Sequence, residues 1–246
     1  MTRSLSIVIP AYNEEARLPE TLRRVIEYLN RTQWTFWEIL IVDDGSTDGT
    51  VARAEEFARA HRGAHSGIRV LRNPGNRDKG YSVRNGMLKA RGEWTLFTDA
   101  DLSAPIEELD KLWNAVSQTG AAGAIGSRAL DRSLIEIHQP FYRETLGKFF
   151  NLTMRAVVRL HFADTQCGFK LFDSRAARAI FGRQRLDRFG FDVEVQFIAR
   201  KLGLRMLEIP VRWSNAEGSK VGMLNGAQSF LDLFVIRLNQ LRGRYR

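Results

Sequence analysis

The sequence predicts an α/β fold, with a mostly parallel central sheet flanked by helices and a C-terminal amphipathic helix. Two observations carry this. Short apolar runs alternate with segments of helical spacing, the pattern of successive βαβ units. Three of those runs end abruptly in polar residues, at Tyr12-Asn13-Glu14, Asp43-Asp44 and Asp99-Asp101. In open α/β sheets ligands bind outside the carboxyl ends of the strands, so these residues define one candidate edge.

The elements follow in order. Ser4–Pro10 (SLSIVIP) is a buried-strand run stopped by proline. Residues 14–30 place Leu18, Leu22, Val25, Ile26 and Leu29 on one helical face. Trp37–Val42 reads as a second strand, and Thr47–Ala60 as a helix opened by a hydroxyl cap. Strands at 68–71, 94–98 and 121–125 alternate with helices at 81–90 and 106–117. Beyond 125 the pattern is less regular. Helices are expected at 141–160, 191–202 and 227–241, and a strand at 204–210.

Composition excludes several classes. No stretch of the 246 residues approaches the roughly 20 apolar residues of a membrane-spanning helix. The N-terminal apolar run is too short for a signal peptide. The single cysteine, Cys167, cannot form an internal disulfide, and with four scattered histidines it argues against a zinc site. No G-x-x-x-x-G-K-[ST] or G-x-G-x-x-G sequence supports a P-loop or a dinucleotide fold. The net charge of +9 is uneven: residues 121–246 hold 21 Lys+Arg against 11 Asp+Glu. Such a half suits an anionic membrane, a phosphorylated substrate or nucleic acid, although no nucleic-acid motif is present.

Asp99 and Asp101, one residue apart at a strand end, admit two readings. They form a solvated turn with Asp101 capping the next helix, or they bind a hard divalent cation through oxygen. Two adjacent anions repel unless a positive group sits with them. Mg²⁺ or Mn²⁺ normally completes its shell with water and substrate phosphates, so a diphosphate leaving group is the natural partner.

I-V-I-P-A-Y-N-E-E at 7–15, I-V-D-D-G-S-T-D-G-T at 41–50 and D-A-D at 99–101 resemble family 2 glycosyltransferases of the GT-A, Rossmann-like fold. K-G-Y-S-V-R-N-G at 79–86, G-S-R at 126–128, D-T-Q-C-G-F-K-L-F at 164–172 and E-G-S-K-V at 217–221 resemble, more narrowly, dolichyl-phosphate β-glucosyltransferases and polyprenyl-phosphate glycosyltransferases. The resemblance implies a catalytic domain over 1–222, with a nucleotide-binding half at 1–120 and an acceptor half at 121–222, then a basic amphipathic helix at 223–246.

It also implies roles. Pro10, Tyr12, Asn13 and Glu14 line the nucleotide pocket, Asp43 or Asp44 reads the base, and Lys79 and Arg84 lie near the nucleotide or its phosphates. Asp99 and Ala100 face the nucleotide-sugar, and Asp101 is the principal metal ligand with Asp99 beside it. Related mannosyltransferases carry Gln two residues after the second Asp; this chain has Ser103. Arg128 and Arg143 are candidates for the acceptor phosphate, and Ser219 and Lys220 for closing over the diphosphate. Gln166 and Cys167 shape the pocket.

The activity implied is inverting transfer of a sugar, glucose from UDP-glucose, to a polyprenyl or dolichyl phosphate. Such an acceptor is largely ionised at neutral pH, its second pKa being about 6, and needs no protein base. A hydroxyl acceptor needs one, and Asp192 or Glu194 is then the candidate, unless both are simply helix-start acids. A lipid acceptor places the chain on the inner face of the plasma membrane. The helices at 141–160 and 227–241, apolar and basic together, either lie in the interface or pack on the core or on a second copy in a homodimer. A haloacid-dehalogenase-type phosphatase also ends a strand in D-x-D, but early in its chain, and leaves P-A-Y-N-E-E unexplained.

Overall fold

The computed structural model describes residues 3–137, 141–215 and 223–246, and of 141–146, 148 and 223–227 the backbone alone. Seven strands form the central sheet: β1 (Ser4–Ala11), β2 (Phe36–Asp43), β3 (Ser66–Arg72), β4 (Trp94–Thr98), β5 (Gly123–Ser127), β7 (Phe169–Asp173) and β8 (Met206–Pro210). Their order is β3-β2-β1-β4-β7-β5-β8. All neighbours are parallel except β7, which runs against both β4 and β5. Two short strands, β6 (Ile135–Ile137) and β9 (Trp213–Ser214), pair separately.

Both faces of the sheet are covered, which is why β1 and β2 read as continuous apolar runs. Leu5, Ile7 and Ile9 of β1 join Ile39 and Ile41 of β2 on one face. There they meet α1 (Leu18–Arg31), α2 (Thr50–Ala60) and α4 (Leu109–Thr119). Val8, Leu40, Val42 and Phe97 point to the other face, under α3 (Asp78–Lys89), α5 (Phe141–Val157), α6 (Ser174–Phe181), α7 (Phe191–Lys201) and α8 (Met223–Leu241). Each Leu or Ile fully removed from water contributes about 1.5–3 kcal/mol. Helix α3 carries few apolar residues and packs by close approach instead. A Cβ on Gly86 would lie 2.3 Å from a Val8 methyl.

Helix α1 starts at Leu18, four residues later than its periodicity suggests. Asn13 adopts a left-handed φ of 53°, and the Glu14 amide donates to Thr50 Oγ1 at 2.7 Å. Helix α2 likewise begins at Thr50, because the Thr47 amide donates to Asn13 Oδ1 at 2.8 Å while Asp48 accepts from the Thr50 amide at 3.0 Å. The polar loops after β1 and β2 are thus cross-linked. The sequence reading did not anticipate β7, α6, β6 or β9. Helix α8 contributes Leu233 and Ile236 to the second core, followed by the fully buried Tyr245. Among the described residues no helix is long and apolar enough to cross a membrane.

Candidate active site

The parallel register brings the carboxyl ends of β1, β2 and β4 to one edge. Ala11 sits opposite Asp43, and Val8 opposite Phe97 just before Asp99. The Asp43 carboxylate accepts from the amides of Gly45 and Ser46, both at 3.2 Å, and so shapes its own turn. Asp44 is turned inward: it accepts from Asn73 Nδ2 at 2.7 Å and from the Arg77 amide at 2.9 Å. Both acids are buried, so Asp44 is a brace between the β2 and β3 loops. Pro10, next to last in β1, lies opposite Val42, and Tyr12 is exposed beside Asn13 and Glu14 at the same edge.

The loop after β4 is held from three sides. The Asp99 amide donates to the Gly168 carbonyl at 3.2 Å, the Ala100 carbonyl accepts from Thr21 Oγ1 at 2.5 Å, and Asp101 Oδ1 accepts from the Ser103 amide at 2.9 Å. Gly168 is needed for space: a Cβ there would lie 2.0 Å from Asp99 Oδ2. Lys79, from the first turn of α3, places its ammonium 2.7 Å from Asp99 Oδ1. Burial acts to lower the Lys79 pKa, but the carboxylates of Asp99, Asp192 and Asp101 outweigh it and hold the pKa above its ordinary value.

Asp99 and Asp101 therefore already attract a cationic group. Among the described residues no three His, Cys, Asp or Glu side chains gather for a metal. Two carboxylates with an open side suit Mg²⁺ or Mn²⁺, which take their remaining ligands from water and a diphosphate. A cleft of about 610 Å³ opens beside Asp101, with Ser103, Arg24 and Arg212 in its wall.

Arg128 follows β5, and Asp164 grips one edge of its guanidinium: Nε–Oδ2 is 2.6 Å and Nη2–Oδ1 is 2.8 Å. Its Cζ lies over the Trp213 ring, 5.3 Å from the centroid. Ser214, next in chain, donates its amide to the Ser103 carbonyl at 2.8 Å. That contact ties the small β6–β9 sheet, and Arg128 with it, to the Asp101 loop. Arg84 is turned to the segment before α7, donating to the Gln184 carbonyl at 3.1 Å and pairing with Asp187 at 3.1 Å. Ser219 and Lys220 lie outside the described residues, as does the side chain of Arg143.

The two acids of F-D-V-E have different fates. Glu194 accepts from the Arg185 and Leu186 amides at 3.0 and 2.8 Å and from the Tyr245 hydroxyl at 2.6 Å. Every one of these contacts is structural, so Glu194 anchors the C-terminus and is not placed to act as a base. Asp192 is buried and hydrogen-bonded by Lys170, whose Nζ also donates to the Cys167 carbonyl at 2.6 Å. Burial raises the Asp192 pKa, against Lys170 and Lys79, which favour its anion. Cys167 is buried and its thiol is pushed up to about 12, which leaves no nucleophile there. Gln166 is exposed.

Sequence reasoning missed Lys170, Asp164 and Gly168 as individuals, although all three stand in D-T-Q-C-G-F-K. The available signal was a lysine inside the apolar run F-K-L-F, which calls for a buried acidic partner.

A glycosyl transferase family 2 model matches residues 6–181. The chain is a family 2 glycosyltransferase. Dolichyl-phosphate beta-glucosyltransferase of Drosophila melanogaster is 39% identical over 253 residues, spanning 98% of this chain and 77% of the relative. The enzymes of the same name from Saccharomyces cerevisiae and Homo sapiens are each 35% identical, covering 98% and 100% of this chain and 76% and 78% of their own lengths. Among solved structures, glucosyl-3-phosphoglycerate synthase from Mycobacterium tuberculosis with Mn²⁺, UDP and glucosyl-3-phosphoglycerate superposes with a TM-score of 0.68 at 17% identity, over 96% of this chain and 79% of that one. Mannosyl-3-phosphoglycerate synthase from Rubrobacter xylanophilus gives 0.65 at 17%, over 98% and 74%. These establish the GT-A fold of this family 2 glycosyltransferase.

Proposed function

We propose that the protein transfers glucose from UDP-glucose to a dolichyl or polyprenyl phosphate with inversion, at the inner face of the plasma membrane. The observation that carries this is the carboxylate pair on the β4 loop, already attracting the Lys79 ammonium, in a chain that dolichyl-phosphate glucosyltransferases match over 98–100% of its length. Asp101 and Asp99 would hold Mg²⁺ or Mn²⁺, which supplies charge neutralisation for the departing diphosphate. Tyr12, Asn13, Glu14 and Asp43, at the same sheet edge, are the residues we assign to the nucleotide pocket.

An ionised acceptor phosphate oxygen attacks the anomeric carbon, the bond to the UDP oxygen breaks, and the electron pair leaves with UDP. Arg128, held on one edge by Asp164 and in cation–π contact with Trp213, orients that phosphate through its other donors. No protein base is required, in keeping with the engagement of Glu194 and Asp192 elsewhere.

Helices α5 and α8 support the membrane placement. Phe149 and Phe230 lie with ring centroids 5.6 Å apart across the two helices. Phe149, Leu152, Leu231, Phe234, Leu238 and Leu241 remain exposed. Arg155, Arg159, Arg242, Arg244 and Arg246 are exposed on or beside the same helices, as an anionic interface requires.

The test is product formation. Incubation with UDP-glucose, Mn²⁺ and dolichyl phosphate should yield a β-linked glucosyl lipid, and a chelator should stop it. Stabilisation of the protein by GDP-mannose alone among nucleotide sugars would overturn the glucosyl assignment. For the surface, L231S/F234S/L238S forfeits about 2 kcal/mol or more of apolar transfer, so flotation with anionic vesicles should fall over tenfold. Unchanged flotation, or a dimer lost in the triple variant, would instead assign the stripe to a second copy of the chain.

A further inference from the structure

Four charged side chains run inward from the β4 loop. Lys79 and Asp99 form the outer pair, 2.7 Å apart, with side chains 23% and 28% exposed. Lys170 and Asp192 form the inner pair, 1% and 4% exposed. The Phe97 ring joins them, since each ammonium lies 5.5 Å from its centroid. The backbone sets the arrangement: Phe97 and Lys170 are directly opposed on the antiparallel strands β4 and β7, while Asp192 stands in the first turn of α7. Lys79 and Lys170 thus stand on one ring, and Lys170 in turn holds the Asp192 carboxyl group.

These four charges cancel, and Asp101 adds one negative charge. A divalent cation at Asp99 competes with the Lys79 ammonium for the same carboxylate, because the two cations repel at this range. An ammonium displaced into a largely buried setting needs another anion, or its desolvation opposes the exchange. The nearest buried carboxyl group on the inner side of the Phe97 ring is that of Asp192, held by Lys170. Lys170 occupies its Oδ1, and the Cys167 carbonyl fixes Lys170 in turn.

We propose that Asp192 is a positioning residue, the second seat of the Lys79 ammonium, which lets Asp99 exchange its lysine for a divalent cation. Its task is to make cation binding reversible and coupled to the arrival of the diphosphate, towards which Lys79 is then free to turn. This rests on the donor-site reading above and gives Asp192 a role other than that of a general base, since it acts through Lys79 and touches no acceptor.

The experiment is Mn²⁺ binding to the donor-free protein, read by the electron paramagnetic resonance of free Mn²⁺, in a double-mutant cycle. K79M should bind Mn²⁺ about tenfold or more tightly than wild type, because the competing ammonium is gone. D192N should bind it about tenfold more weakly, because the ammonium has nowhere to go. K79M/D192N should match K79M, since without the lysine the second seat has no use. If D192N does not fold, K170M/D192N, which removes both charges of the buried pair, replaces it and carries the same expectations. An equal loss from D192N in the wild-type and K79M backgrounds would overturn the proposal in favour of simple long-range attraction. Unchanged Mn²⁺ affinity in D192N with kcat lost would overturn it in favour of a base. Should Mn²⁺ bind none of the proteins, with or without UDP, the donor-site reading itself fails.

Discussion

Replacing Asp101 by asparagine is expected to lower turnover by on the order of 10³-fold while leaving the melting temperature within a few degrees. A metal acting as Lewis acid contributes several kcal/mol of transition-state stabilisation, and about 4 kcal/mol is roughly three decades of rate at 1.36 kcal/mol per decade. Asp101 makes one short hydrogen bond, to the Ser103 amide in its own turn, and asparagine oxygen can accept it. The fold therefore has little reason to change. A companion substitution reaches the same centre sterically. In G168A the new methyl carbon would lie 2.0 Å from Asp99 Oδ2, so the carboxylate must move. Steady-state kinetics should show both variants losing kcat/KM for UDP-glucose. Near-normal turnover in D101N would remove the donor site from the β4 loop.

The second large effect is on stability. Arg128→Met strands the Asp164 carboxylate, which is 7% exposed and now accepts from two guanidinium nitrogens. Removing one partner of a buried pair typically costs 3–5 kcal/mol; about 3 is expected here, because the Arg128 side chain is itself partly exposed. For a domain of this size each kcal/mol moves Tm by roughly 2–4 °C, so a fall near 10 °C should be seen by calorimetry. The acid side supplies a further check. Although burial opposes it, the Arg128 charge and hydrogen bonds hold the Asp164 pKa below its ordinary value. A depressed carboxylate stabilises the fold above the unfolded Asp pKa, about 3.9, and loses that contribution as pH falls through the folded value. Wild type should therefore lose stability on acidification below about pH 4, and R128M should show a shallower slope there. An unchanged slope would mean that Asp164 is held by its backbone donors alone.

How much of this was legible in the sequence follows from particular residues. The polar edge at the carboxyl ends of the strands was legible because β1, β2 and β4 are buried on both faces, so their apolar runs stop sharply where Tyr12, Asp43 and Asp99 begin. Strand β7 was not. Its five residues include Lys170, which breaks the apolar run, and Asp173, which caps α6 by accepting from the Arg175 and Ala176 amides. Its antiparallel direction depends on partners far away in sequence. For Glu194 the sequence left two readings open, a helix-start acid or a base, for a related reason. An acid in the first turn of a helix looks available to solvent, and nothing near it in the chain announces Tyr245 as its partner. Asp44 shows the same limit: the D-D-G pattern marks the loop but not which of the two carboxylates faces inward.

The reversed direction of β7 has a consequence for how such enzymes diversify. Strand β5 leaves the sheet at Ser127 and β7 re-enters it at Phe169, and the antiparallel ladder puts both points on one rim. The excursion between them, which carries Arg128, helix α5 and Asp164, is a contiguous cassette whose two ends are anchored side by side. Its contents can be lengthened, shortened or swapped without re-registering β2, which ends at Asp43, or β4, which precedes Asp99. With Arg128 in the acceptor role proposed above, acceptor preference can drift over evolutionary time while the β1, β2 and β4 edge stays as it is.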